Sequence, residues 1–293
     1  MKKIRVGAIL NYLFITLIGF ITLYPFIYIL SVSISPPQAT VFNRVILLPK
    51  GFSLAAYEVV LMDRRLIMGF FNSIQYTIAG TCVSVFLTTL TAYPLAQPKF
   101  KRYARIYMRF VVFTMLFSGG LIPTYLVIRS LRMINTFWVM IIPGAINVFF
   151  LILTRTFMQQ LPAELFEAAE IEGSGDVNMY LRIVLPLCMP IIACISLYYA
   201  VGIWNSYMTP LIYLNSESRF PLQIFLRQIV MQSSLQEMEL AASGSETLIL
   251  GATHNSESVK ASTLVLSTVP ILMAYPFLQK YFIKGIMVGA IKG

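Results

Sequence analysis

The chain has 293 residues, of which 58% are apolar and only 12% charged, with a net charge of +10 and a mean hydropathy of +0.77. One soluble core cannot hide that much apolar surface, so the composition excludes an ordinary globular enzyme and points to an all-α protein crossing the membrane several times. Three cysteines without CxxC spacing and a lone histidine, His254, exclude a disulfide framework and a zinc site, so no metal is expected, and the basic excess reads as membrane topology rather than nucleic-acid binding.

A membrane span needs about 20 mostly apolar residues. Six segments qualify, near 8–31, 71–95, 109–128, 137–157, 187–208 and 261–283. The first follows Met1-Lys-Lys-Ile-Arg5 and is longer than a signal-peptide core, so it reads as a retained helix. The connection over 33–69 carries Pro36, Pro37 and a Lys50-Gly51 turn, then an amphipathic stretch from Leu54 to Met68 suited to the membrane surface. The next connection holds Lys99, Lys101, Arg102, Arg105 and Arg109. With Lys2, Lys3, Arg5, Arg155, Arg182, Lys280, Lys284 and Lys292 these place thirteen basic residues on one side against nine on the other, which predicts cytoplasmic N- and C-termini. The chain is expected to form one transmembrane domain over 1–293, with a cytoplasmic loop at 159–186. A loop at 209–260, carrying Glu237, Glu239, Ser243, Gly244, Ser245 and Glu246, is expected on the other side and reads as mobile or partner-facing.

The cytoplasmic loop is the most informative stretch. Glu164, Glu167, Glu170, Glu172 and Asp176 would each cost about 2.5 to 3.5 kcal/mol at a bilayer centre, so the segment lies outside the hydrocarbon. Pro162 suits the first position of a helix, and Glu164 and Glu167 oppose the positive end of its dipole. Ala168 and Ala169 favour helix and leave a shallow face for another protein. Gly173 permits the left-handed conformation that stops the helix, and Ser174 or Asp176 can cap the next. Val177, Tyr180, Leu181 and Val184 recur at helical spacing before Pro186 turns the chain back.

Glu167-Ala-Ala169, three residues, Gly173, nine residues, then Ile183-Val-Leu-Pro186 resembles the EAA loop of permease subunits in ATP-binding-cassette importers at every specified position. Asn72-Ser73, Phe117-Ser-Gly-Gly-Leu-Ile-Pro-Thr124, Trp204-Asn205 and Tyr275-Pro-Phe-Leu-Gln-Lys-Tyr-Phe-Ile-Lys-Gly285 extend the likeness to carbohydrate importers, and more narrowly to the oligosaccharide and aldouronate branch. The resemblance implies six transmembrane helices in the type I importer fold. It implies an EAA coupling helix docking on the ATPase through Glu167, Ala168, Ala169, Gly173, Ile183, Leu185 and Pro186. It implies a second permease in a heterodimer, two ATPase subunits that bind ATP and Mg, an extracytoplasmic solute-binding protein, and a sugar carried inward by alternating access. The chain contains no GxxxxGK[ST] phosphate cradle, so it is expected to be a transport subunit of the cell membrane without its own ATPase site or cofactor.

A sugar path needs hydroxyl partners and flat apolar faces. Asn72 or Gln75, Asn147, Tyr198 or Tyr199, Trp204, Asn205 and Tyr207 supply them, with at most one of the adjacent tyrosines facing a cavity; Asn72, Asn147, Tyr199, Trp204, Asn205 and Tyr207 form the candidate set. Arg155 and Arg182 read as anchors of helix ends. The alternatives are an importer permease for amino acids or peptides, which shares the motif, and an ion-coupled secondary transporter, which would bury ionisable groups that the predicted spans lack. An integral membrane enzyme would need a convergent acid, base or nucleophile set, and none is evident.

Overall fold

The computed structural model describes residues 6–36, 45, 47–243, 257–273 and 276. Among them the regular elements are helical. The chain divides into two compact units, one of residues 1–68 with 224–270 and one of 69–223 with 271–293.

In the first unit, α1 (Val6–Ser33) is apolar on all sides, and Leu10, Phe14, Phe20 and Leu23 are each more than half exposed, as a lipid-facing helix requires. Among its described side chains, those buried are at its C-terminal end. Ser31 Oγ donates to the Leu47 carbonyl (2.7 Å), Ser33 Oγ meets the Tyr57 hydroxyl (2.8 Å), and Val32 packs with Val45 and Ala261. The expected Lys50-Gly51 turn is present, with Gly51 at φ +89°. The expected surface helix is split. Helix α2 (Ala55–Met62) ends at Asp63, which accepts the Arg65 N–H (2.9 Å) and so caps α3 (Arg64–Ala96).

The second unit is built on α3. A 3-10 turn at Pro98–Phe100 leads to α4 (Lys101–Leu116), α5 (Leu121–Ser130), a second 3-10 turn (Phe137–Met140) and α6 (Val148–Met158). Then come α7 (Ala163–Ile171), α8 (Asp176–Leu187), α9 (Met189–Trp204), α10 (Met208–Tyr213) and α11 (Leu222–Ser243), the last continuing into the first unit. A final helix, α12, covers 257–273 in the described residues. One core joins α3, α6, α8 and α9 through Tyr93, Leu151, Tyr180, Val184, Cys188 and Tyr199; a second gathers Tyr76, Ile128, Val139, Met140, Tyr213 and Leu214.

Two of the six expected spans, the third and the fourth, are interrupted. Two helices, Leu10–Ser33 and Arg64–Ala96, are long and apolar enough to cross a membrane unbroken. The third expected span breaks at Ser118-Gly119-Gly120, where its two pieces meet at 116°. Gly120 sits at φ +83°, which a side chain resists, and Pro123 in the first turn of α5 cannot donate back across the break. The fourth is α-helical only from Val148, because Pro143-Gly144 interrupts it and Asn147 caps the restart. The fifth begins at Met189, after a 79° bend from α8. The sixth is described only to residue 273. Much of the expected polar loop at 209–260 is instead helix α11, whose Leu222, Ile224, Phe225 and Leu226 are buried. Residues 244–256 of that loop lie outside the described residues.

Candidate functional site

The acidic loop is a helix-turn-helix with two different faces. On α7, Glu164, Glu167, Ala168 and Ile171 follow a three-four spacing and all point outward; Ile171 is 88% exposed. Ala169 is buried and Phe166 half-buried against the second unit's core. The two alanines of the motif therefore divide their work: Ala168 leaves the outer face shallow, whereas Ala169, expected on that same face, lets α7 approach its own body. Pro162 caps α7 one position before its predicted place, with Ala163 as the first helical residue.

The turn is a Schellman motif. Gly173 N–H donates to the Glu170 carbonyl (3.0 Å) and Ser174 N–H to the Ala169 carbonyl (2.9 Å), with Gly173 at φ +76°. That is why the motif demands glycine here: nothing lies within 4 Å of an added Cβ, so the constraint is conformational and not steric. Neither Ser174 nor Asp176 caps α8 as expected. Gly175 holds that position, Ser174 Oγ accepts from the Asn178 amide (2.8 Å), and Asp176 pairs with Lys99. Helix α8 also widens into a π turn over Tyr180–Val184. Met179, Tyr180 and Val184 are consequently buried, while Val177 (72%) and Leu181 (53%) face out. Ile183 and Leu185 are half-buried and Pro186 is exposed. The regular spacing read from the sequence placed all of Val177, Tyr180, Leu181 and Val184 on one face; the π turn separates them.

Between α7 and the end of α3 lies a cleft of about 340 Å³ lined by Tyr93, Gln97, Lys99, Phe166, Glu167 and Glu170 among others. The Tyr93 hydroxyl is buried there without a hydrogen-bond partner among the described residues. Its ring lies 5.3 Å from that of Tyr180, whose hydroxyl is 2.9 Å from Thr89 Oγ1. Arg155 Nε donates to the Leu95 carbonyl (2.9 Å), the helix-end anchoring expected of it. The loop is thus held to α3 by packing and the Tyr180–Thr89 hydroxyl pair, and to the turn after α3 by the Lys99–Asp176 ion pair. Sequence reasoning missed Tyr93 and Gln97; their only signal was an interrupted apolar pattern at Tyr93-Pro94 and Gln97-Pro98.

The expected sugar-path residues do not gather into one site. Asn72 Nδ2 is spent on the Ser218 (2.9 Å) and Phe220 (3.0 Å) carbonyls. Asn147 Oδ1 caps α6 through the Phe149 (2.9 Å) and Phe150 (3.4 Å) amides. Tyr199 is 6% exposed; its hydroxyl accepts the Asn147 N–H (2.9 Å) and meets Thr88 Oγ1 (2.8 Å). Of the adjacent tyrosines, Tyr198 is the exposed one and stacks on Phe150. Trp204 is buried edge-on to Phe70, Tyr207 is half-buried at the start of α10, and Gln75 is exposed. Asn205 stands exposed at the end of α9.

No family model matches the chain. It is 40% identical over 291 residues to the polygalacturonan/rhamnogalacturonan transport system permease protein YtcP of Bacillus subtilis, covering 99% of this chain and all of that one. It is 41% identical over 292 residues to protein LplC of the same organism, covering 100% of this chain and 97% of the relative. The chain belongs to the carbohydrate permeases of ATP-binding-cassette importers. The crystal structure of a bacterial transporter involved in the import of the acidic polysaccharide alginate superposes with a TM-score of 0.84 at 31% identity, covering 96% of this permease and 98% of that chain. The permease's fold is therefore that of type I importers. Its acidic loop offers a rigid outward face whose glutamates and Ile171 are not consumed by contacts with the chain's own core.

Proposed function

We propose that this permease carries oligosaccharides inward, its coupling loop converting ATP-driven closure of two separate ATPase subunits into alternating access. The observation that carries the coupling role is the outward face of α7, where Glu167 and Ile171 stand beside each other on a helix held by a Schellman turn. A charged rim beside an exposed apolar side chain suits a protein interface. A helix held against its body transmits a push better than a flexible loop would: Phe166 and Ala169 pack α7 down, and Tyr180 and Val184 tie the following α8 to α3 and α9. The matched loop face is read as cytoplasmic, with both termini, and the chain as one half of a permease heterodimer served by an extracytoplasmic binding protein. The 209–260 segment, helical over Leu222–Ser243, is the candidate contact for that binding protein. ATP and Mg belong to the ATPase partners in this reading.

For substrate, the names of the relatives favour polysaccharide fragments, and those rich in uronate come first. Asn205 and Tyr198 are the best-placed groups for a pyranose, one a free polar edge and the other a flat aromatic face. The test is ATP hydrolysis by the full importer in liposomes, with its binding protein and defined oligosaccharides. Stimulation that needs both the binding protein and an oligosaccharide supports the reading. Stimulation by peptides or amino acids, and by no sugar, keeps the permease fold and overturns the substrate.

A further inference from the structure

A second feature of the second unit lies on α4 and α6, apart from the outward face of α7. Lys101, Arg105 and Arg109 follow one another at four-residue spacing along α4, and Arg155 of α6 joins them around an open groove of about 480 Å³ completed by Met108 and Val112. No carboxylate among the described residues lines this groove. The described ion pairs are Arg65 with Asp63 and Lys99 with Asp176, so these four cations have no acidic partner among the described residues. The placement is unfavourable as it stands. Lys101 and Arg102 occupy the first turn of α4, where the helix dipole is positive and no acidic residue offsets them. Gathered like charges also repel one another. Orientation of the chain asks for cations on this side of the membrane, but it does not ask that one from α6 converge with three from α4.

Past the charges, the groove's own stripe of α4 is apolar: Val112 (38%), Met115 (54%) and Leu116 (73%) follow Met108 at three- and four-residue spacing and are exposed, with Tyr103 and Tyr107 at the level of the charges on the other side of the helix. Aromatic rings at a charged boundary and aliphatic surface past it are the profile of a helix passing from headgroups into hydrocarbon. A ligand that matches both parts has an anionic head and acyl chains. We infer that this groove binds the phosphate headgroup of an anionic phospholipid, through Lys101, Arg105, Arg109 and Arg155, in the leaflet that faces the coupling loop. Arg155 also donates Nε to the Leu95 carbonyl at the end of α3, which leads through the Pro98–Phe100 turn to the Lys99 pair with Asp176 in the coupling loop. A bound lipid therefore fixes an arginine that braces the same helix end as the loop.

The experiment uses the complete importer in nanodiscs of phosphatidylcholine mixed with phosphatidylglycerol. Native mass spectrometry counts the phosphatidylglycerol that stays bound to the released complex. The wild type is expected to retain it, Arg105→Gln/Arg109→Gln to bind it about 30-fold more weakly, and Arg105→Lys/Arg109→Lys to restore retention. Arg129→Gln/Arg132→Gln, at the end of α5, is the matched control and is expected to behave as wild type. Equal retention by wild type and the glutamine variant overturns the site. Displacement of the lipid by millimolar inorganic phosphate overturns the lipid as its occupant. If the glutamine variant instead loses its partner subunits in lipid-free detergent, the cluster is a protein interface and the inference fails.

Discussion

The coupling loop and the segment from Tyr199 to Tyr207 both carry the residue types a functional site needs, but they differ in what those side chains have left to offer. On α7, Glu167, Ala168 and Ile171 face outward while Ala169 and Phe166 hold the helix down. Around α9, Tyr199 and Trp204 face inward, and the Tyr199 hydroxyl is bound on two sides. Polar and aromatic groups in a membrane protein stabilise its interior as readily as they meet a ligand, because no water is present to satisfy them otherwise. The useful distinction is whether the hydrogen-bonding capacity is already taken up.

The largest effect separates the two faces of the loop. Glu167→Lys reverses charge on the exposed face, and sugar-stimulated ATP hydrolysis is expected to fall at least tenfold (about 1.4 kcal/mol or more of coupling) while membrane insertion, checked by fractionation, is unchanged. On the inner face, Tyr180→Ala removes a ring from the core and is expected to cost about 3 kcal/mol or more, read as a lowered unfolding midpoint of the purified importer. Its effect on ATP hydrolysis follows that loss of stability. Equal loss of stability in both variants would erase the distinction between the faces.

A second pair tests the α9 segment. Tyr199→Phe leaves the Asn147 N–H and Thr88 hydroxyl without their partner and is expected to destabilise by about 1 to 3 kcal/mol, with the sugar concentration for half-maximal transport unchanged. Asn205→Ala is expected to do the reverse, raising that concentration at unchanged stability. Transport kinetics and thermal unfolding on the same preparations read both.

Gly173→Ala forces a side chain into φ +76° and is expected to cost about 1 kcal/mol, with Gly173→Asn milder. Hydrogen exchange of the Gly173 and Ser174 amides reports the opened turn. The smallest effect concerns pH. The hydrogen bond from the Arg65 guanidinium holds the Asp63 carboxyl below its usual range, against a smaller opposing push from burial. A carboxyl depressed in the folded state contributes stability above its unfolded pKa, and that contribution fades as pH falls through the folded value. Both side chains are partly exposed, so the loss in acid is expected to be slight, to shrink further in high salt, and to be absent in Asp63→Asn.

The sequence made the membrane class, the loop and its glycine turn legible, because composition and fixed spacing are local properties. It misjudged continuity. The third and fourth spans read as unbroken apolar runs, yet Gly119-Gly120 and Pro143-Gly144 carry backbone constraints that hydropathy averages away. It also misplaced the α8 side chains, since one π turn shifts the helical phase and no composition signal announces it. The path residues were unreadable for a different reason. Whether Tyr199 meets a sugar or the Asn147 amide depends on which helix lies 52 residues away, and that is a tertiary fact.

The most direct test of the coupling face is thiol labelling of Ile171→Cys and Val177→Cys in a background without the native cysteines. In the free permease both side chains are exposed, and both should react freely. On assembly with the ATPase subunits, Ile171→Cys is expected to become at least tenfold slower to label. Unchanged labelling of Ile171→Cys in an assembled, ATP-hydrolysing importer would contradict the account, because the outward face of α7 would then be bare in the working complex.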